Sequence, residues 1–265
     1  MRINEPSPTP RFDGGTFGFL TLGVGSFFST QCYHTSLLLI AGPLRVQIDL
    51  PSPYCKILAD ATRKADLGIT PADIDHFICT HVHGDHSNGC EDVGYYKLFV
   101  QGKRATLYVL PEVAKTLWEN KLFASMGPLT DEQLNPLAPA TLETFFDVRL
   151  VTPETPTMIG DVAMRIRRTR HSVPCFAMKF ERRGRRLGYS SDTIFDRELI
   201  DWLGECDLIF HETTPAGPHT KYKDLTTLPA ALKDKMVLIH MSDGLKCDDP
   251  HFRLAAQGAF YQIND

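Results

Sequence analysis

Thr80-His81-Val82-His83-Gly84-Asp85-His86 packs three imidazoles and one carboxylate into the six residues from His81 to His86. Imidazole nitrogen and carboxylate oxygen are the ordinary non-thiol ligands of Zn²⁺. Aiming neighbouring side chains at one point needs a tight turn, which Gly84 permits. One histidine on a polar loop would mean little. Three with an Asp, directly after the apolar run Phe77-Ile78-Cys79, read as a metal-binding loop at the end of a short buried strand over 75–80.

Working outward, apolar runs at 18–22, 34–40 and 44–49 read as strands, the last ended by Pro51. Ile57, Leu58, Ala61 and Ala65 recur at a helical period over 54–65. A strand at 105–110 precedes a helix that Pro111 starts and that runs to residue 122. Pro128, Pro136 and Pro139 interrupt 123–146, which reads as a lid or a subunit-contact segment. In the second half, strands are expected at 164–170, 175–181, 186–190, 207–211 and 236–240, and helices at 197–203, 226–233 and 252–261. Strands alternating with helices predict a layered α/β fold. With no linker between separate cores, one domain over 1–265 is expected, its residues 1–15 forming a loose Pro- and Gly-rich arm.

Composition narrows the function. The 265 residues are 43% hydrophobic and 23% charged, which excludes a disordered chain. A net charge of -4 offers no general positive field, so no stable nucleic-acid complex is expected. The N-terminus lacks the apolar core of a signal peptide, and the longest apolar run, near 37–40, is too short to span a bilayer. Seven scattered cysteines without a C-x-x-C pair point to reduced thiols and a cytoplasmic location, away from membranes.

The H-x-H-x-D-H run resembles the signature of the metallo-β-lactamase superfamily, and the rest of that pattern follows in order. His171 stands in Arg170-His171-Ser172, Asp192 in Ser190-Ser191-Asp192-Thr193, and His240 in Leu238-Ile239-His240-Met241. Asp49, ending an early strand, also fits. The resemblance implies a four-layer αββα metallo-β-lactamase fold and two divalent metal ions. One would take His81, His83 and His171, the other Asp85, His86 and His240, with Asp192 and a water or hydroxide between them. Zn²⁺ is the expected metal, and Mn²⁺ or Fe²⁺ suits the same ligands. Members that use iron and dioxygen carry Glu where His83 stands, so His83 favours hydrolysis.

Asp207-Leu208-Ile209-Phe210-His211-Glu212-Thr213-Thr214, followed by His219, resembles the ribonuclease Z branch. That branch includes cyclic phosphodiesterases and phage proteins acting against cyclic-pyrimidine immune signals. It implies catalytic roles for Asp85, Glu212 and His219. His219 would protonate the departing alkoxide, and Glu212 would orient it and raise its pKa. Taken alone, His219 reads as an exposed loop histidine; His211 reads as structural. His171 and Asp192 are only 21 residues apart, joined by one hairpin with the turn Arg182-Arg183-Gly184-Arg185-Arg186. The tRNA-gripping arm of ribonuclease Z does not fit there. A small phosphodiester, a cyclic nucleotide or cyclic ribosyl phosphate, is therefore favoured over an RNA endonuclease. Lactone, thioester or β-lactam hydrolysis, and a metal-bound sensor without catalysis, are the competing readings. Arg165, Arg167, Arg168 and Arg170 read as a charged, solvated strand edge. Tyr33, His34 and Ser36 are candidate substrate contacts. Many members of the branch are homodimers, with 123–146 the segment expected to form the contact.

Overall fold

Residues 12–263 are described by a computed structural model, and within them fourteen strands divide evenly between two mixed sheets. The first sheet takes β1 (Phe17–Gly23), β2 (Ser36–Ala41), β3 (Leu44–Ile48), β4 (His76–Ile78), β5 (Ala105–Val109) and β6 (Phe146–Leu150) in spatial sequence. The second takes β7 (Thr157–Ile159), β8 (Val162–Arg168), β9 (Phe176–Arg182), β10 (Arg185–Tyr189), β11 (Leu208–Glu212), β12 (Met236–Ile239) and β13 (Arg253–Leu254). The chain then returns as β14 (Phe260–Gln262), antiparallel to β1 on the edge of the first sheet. Each sheet begins antiparallel and becomes parallel, at β3–β4 and at β10–β11.

Every residue of β1 and β2 is buried, as expected of strands covered on both faces. Between the sheets, the Phe19 ring meets Phe180 and Phe210 edge-on at 5.9 and 5.4 Å. In the first half the helices are α1 (Tyr54–Lys64), α2 (Gly84–Ser87), α3 (Cys90–Tyr95), α4 (Pro111–Leu117), α5 (Phe123–Met126) and α6 (Leu142–Phe145). The second half has α7 (Arg197–Leu203), α8 (Tyr222–Leu225) and α9 (Ala230–Lys233). Helix α1 buries Ile57, Leu58 and Ala61, while Leu199, Ile200 and Leu203 of α7 close a smaller core with Ile209 and Leu238. Helices thus lie outside two face-packed sheets, the expected αββα order.

Three expectations fail locally. Of the helix expected over 226–233 only α9 forms, with Pro229 capping its start; α8 lies before that span, and Pro229 lacks the N–H that a helix continuous from 226 would use. The helix expected over 252–261 does not form. Phe252, Ala255, Ala256 and Ala259 have helical spacing, but the segment pairs as β13 with β12 and β14 with β1, around Gly258 at φ 73°. The arm expected over 1–15 is docked where it is described: Phe12 packs edge-on against Phe260, and Arg45 lies 4.7 Å over its ring. Residues 1–11 of that arm lie outside the described residues. In 123–146, α5 is tied to α3 by the Tyr95 hydroxyl on the Ser125 carbonyl (2.8 Å), and 132–139 is exposed. All seven thiols are free, and no helix among the described residues is long and apolar enough to cross a membrane.

Candidate metal centre

Side chains from both sheets meet where β4, β8, β10 and β12 end, the customary place for a site in parallel α/β architecture. On the first side, Asp49 follows β3 at φ 58°. Its carboxylate accepts from the Thr80 amide (2.9 Å), the Thr80 hydroxyl (2.8 Å) and His86 Nδ1 (2.8 Å). The Leu50 amide donates to the His86 carbonyl and the Gly89 amide to the Leu50 carbonyl, each at 2.7 Å. These bonds pin both ends of the histidine loop to the strand. On the other side, Asp192 follows Ser191 at φ 49°, and His240 itself adopts φ 57°.

Hydrogen bonding decides which ring nitrogen each histidine turns inward. The Thr214 hydroxyl donates to the His240 carbonyl (2.5 Å), so at 2.9 Å it can only accept from His240 Nδ1. The Thr80 hydroxyl donates to Asp49 and accepts from His81 Nδ1 at 2.9 Å. His86 Nδ1 donates to Asp49, and His171 Nδ1 donates to the Pro218 carbonyl at 3.3 Å. These four rings therefore present Nε2 as an acceptor. His83 is reversed: its Nδ1 faces His171 Nε2 at 3.0 Å, while its Nε2 is 3.5 Å from the Ser172 hydroxyl.

Two groups of acceptors result. His81, His83, His171 and Asp192 present donor atoms within 4.8 Å of one another, and so do Asp85, His86 and His240. In the second group His86 Nε2 and His240 Nε2 lie 3.4 Å apart, and Asp85 Oδ2 is 3.4 and 3.2 Å from them. Asp192 spans the groups, with Oδ2 3.7 Å from both His81 Nε2 and His240 Nε2 and 3.8 Å from His171 Nε2. Lone pairs facing lone pairs repel unless a cation stands between them. His81 Nε2 and Asp192 Oδ1 are buried without a hydrogen-bond partner, which fits a pair of metal ions.

The electrostatics agree. Burial pulls His81 well below its ordinary pKa, and holds His171 down to about 4. Burial also opposes charge on His86 and His240, but Asp192 and Asp85 outweigh it and push both upward. The same histidines, against burial, hold Asp85 and Asp192 below the carboxylate range. The two aspartates thus draw positive charge to this pocket, as expected of ligands that metal and proton compete for.

His219 stands beside this cluster. Its Nδ1 is 3.0 Å from Glu212 Oε1, and its ring stacks on His240 at 5.1 Å. Glu212 also accepts the amides of Thr193 (2.9 Å) and Thr220 (3.3 Å). The expected raising of the His219 pKa is not found. Burial and neighbouring Lys221 hold it below its ordinary value despite Asp192. Glu212 is itself pushed well above the carboxylate range by burial and Asp192, so it does not act as a strong counter-charge. His211 is fully buried and donates within its own strand, as a structural residue should.

A cleft of about 350 Å³ opens onto His83, Asp85, Asp192, His219 and His240. Tyr33, His34 and Ser36 do not line it. Tyr33 donates to Asp60 (2.7 Å), His34 to the Phe27 carbonyl (3.0 Å), and Ser36 is buried in β2. Ser26, Phe27 and Phe28 line it instead, joined by Thr214 and Ser242. Sequence reading missed these residues because no spacing rule marks them; the one available signal was two adjacent phenylalanines in a Gly- and Ser-rich loop. Arg167 pairs with Glu198 and Arg168 with Glu112 at the surface, as a charged strand edge should.

A family model described as "Anti-Pycsar protein Apyc1" matches residues 17–261. Among curated proteins, the chain is 29% identical over 234 residues to an anti-Pycsar protein Apyc1 of Paenibacillus sp. (strain J14), covering 85% of this chain and 89% of that one. It is also 29% identical over 260 residues to the protein of the same name from Bacillus phage BSP38, covering 91% and 96%. Among solved structures, the metallo-β-lactamase fold protein YhfI from Bacillus subtilis superposes with a TM-score of 0.70 at 14% identity, over 94% of this chain and 100% of that one.

Proposed function

The chain belongs to the anti-Pycsar protein Apyc1 family, and from that premise we propose that it is a metal-dependent phosphodiesterase acting on small cyclic phosphodiesters, cyclic nucleotides foremost. One observation carries this reading: seven side chains converge as acceptors, with His219 poised over them on Glu212. His81, His83 and His171 would hold one divalent ion, and Asp85, His86 and His240 the other, with Asp192 shared. Two such ions, Zn²⁺ by ligand type, supply a nucleophile at neutral pH and neutralise charge on the phosphate.

The chain's own residues do the remainder. Asp49, Thr80 and Thr214 fix the tautomers that point ring nitrogens inward. Glu212 holds His219 by Nδ1, which leaves Nε2 free; once the ring is protonated, that nitrogen would give its proton to the leaving alkoxide. The interval from His171 to Asp192 is taken up by β9, a tight turn and β10, so the substrate meets a short rim. In this reading the protein is one domain, cytoplasmic, and a homodimer in contact through 123–146.

The test uses metal-loaded protein with 3′,5′- and 2′,3′-cyclic nucleotides and bis-p-nitrophenyl phosphate, with and without chelator. Chelator-sensitive hydrolysis is expected. His219→Ala should retain its metal by elemental analysis and lose about 10²–10⁴-fold in kcat. Failure of the metal-loaded parent to hydrolyse any phosphodiester would overturn the reading.

A further inference from the structure

Phe28 is 86% exposed and Phe27 49% exposed, although both sit at the mouth of a cleft beside buried imidazoles. Exposed rings this large normally fold inward or cover a partner surface. Here the chain holds them out by specific bonds. Asp243 accepts from the Ser29 hydroxyl (2.5 Å), the Thr30 amide (2.7 Å) and the Thr30 hydroxyl (2.8 Å). The Ser26 amide donates to the Met241 carbonyl at 2.9 Å, so the loop is fastened on both sides of the rings to the segment that follows His240. Behind Phe27 the His34 ring stacks at 5.8 Å with 21° between planes, while Phe28 meets Phe27 edge-on at 5.0 Å.

We infer that Phe27 and Phe28 form a stacking wall for the nucleobase of the substrate, and that Asp243 and His34 are positioning residues for it. The inference rests on the phosphodiesterase reading and adds the substrate part that the metal centre leaves open. A cyclic nucleotide has a charged end and a flat apolar end. The first belongs with the acceptor cluster; the second needs an aromatic face at the rim, and the wall supplies one within the same cleft. Phenyl rings offer no donor or acceptor to a base edge, so the wall accepts purine and pyrimidine alike.

Steady-state kinetics on the metal-loaded protein test this with four substrates: 3′,5′-cyclic AMP, CMP and UMP, and ribose 3′,5′-cyclic phosphate, which lacks a base. Phe28→Ala should raise KM about tenfold for the three nucleotides, the low end for one base–aromatic stack, with kcat within about twofold. The baseless ester should be unchanged, Phe28→Trp should restore the parent KM, and Asp243→Asn should raise KM less than Phe28→Ala. Equal losses on nucleotides and baseless ester, or no change in KM, would overturn the inference. Should the parent hydrolyse nothing, the phosphodiesterase reading fails by itself. Calorimetric binding of the three nucleotides to parent and Phe28→Ala then decides the wall: weakening by the substitution supports it, and equal or absent binding refutes it.

Discussion

His211 and His219 show how far environment separates two copies of one side chain. His211, fully buried, donates Nδ1 to the Glu212 carbonyl at 2.8 Å, and burial lowers its pKa to about 4. In an unfolded chain it would titrate near ~6.5. Above that value both states are neutral and its contribution is complete. As pH falls from about 6.5 toward 4, the unfolded chain gains a proton that the folded one refuses, and stability declines by up to about 3 kcal/mol. Urea unfolding of metal-free protein at pH 7 and 4.5 should therefore show a smaller drop for His211→Gln than for the parent; equal drops would refute this. The ligand-type residues were legible because metal chemistry demands few side chains in recognisable order. The direction of the His219 shift was not, since burial and a neutralised neighbour appear only in three dimensions. Phe27 and Phe28 were equally hidden, because a loop's approach to a cleft leaves no periodic trace.

At the level of elements, reading succeeded where one segment's own pattern sufficed. The helix expected over 197–203 coincides with α7, capped by Asp196, whose side chain accepts from the Glu198 and Leu199 amides. It failed at the C-terminal end, where Phe252, Ala255 and Ala259 mimic a helical stripe but partners from distant strands were waiting. Short strands such as β7 and β13 carry too few residues to declare themselves. Gly89 illustrates another feature that spacing cannot show. A Cβ at this position would lie 2.7 Å from the Pro51 carbonyl oxygen and 2.9 Å from that of Leu50. Those are backbone atoms and cannot swing aside, so the turn between α2 and α3 would have to move off the segment that follows β3, close in the chain to Asp85 and His86. Gly89→Ala should destabilise the protein by about 1–3 kcal/mol in urea melts and weaken metal retention in competition with a chelator. A substitution neutral in both assays would show the contact to be slack.

The whole molecule is two sheets that share an apolar interior and meet again at the metal centre. Besides the phenylalanines between them, Arg182 bridges from β9 to the Thr16 carbonyl (3.0 Å) while its Nε donates to Asp161 (2.8 Å). The candidate ligands are divided likewise: His81, His83, Asp85 and His86 follow β4, whereas His171, Asp192 and His240 follow strands of the second sheet. Cations at this point would clamp one sheet to the other. Restoring Zn²⁺ to chelated protein at 100 times Kd should raise unfolding free energy by about 2.7 kcal/mol. The gain should appear in one cooperative transition, because both halves are clamped together. A thermal shift that leaves one half melting at its metal-free temperature would contradict this.

Asp49, Ser191 and His240 are three of the six non-glycine residues in left-handed backbone among those described, and all abut the centre. Such conformations carry a penalty of about 1–3 kcal/mol each and persist where surroundings enforce them. A lineage released from chemistry would be free to relax there, and Ser191, with the smallest side chain of the three, would be the first to drift to glycine. Descendants that keep the sandwich but have fallen silent should bear that mark next to Asp192 before any histidine is lost.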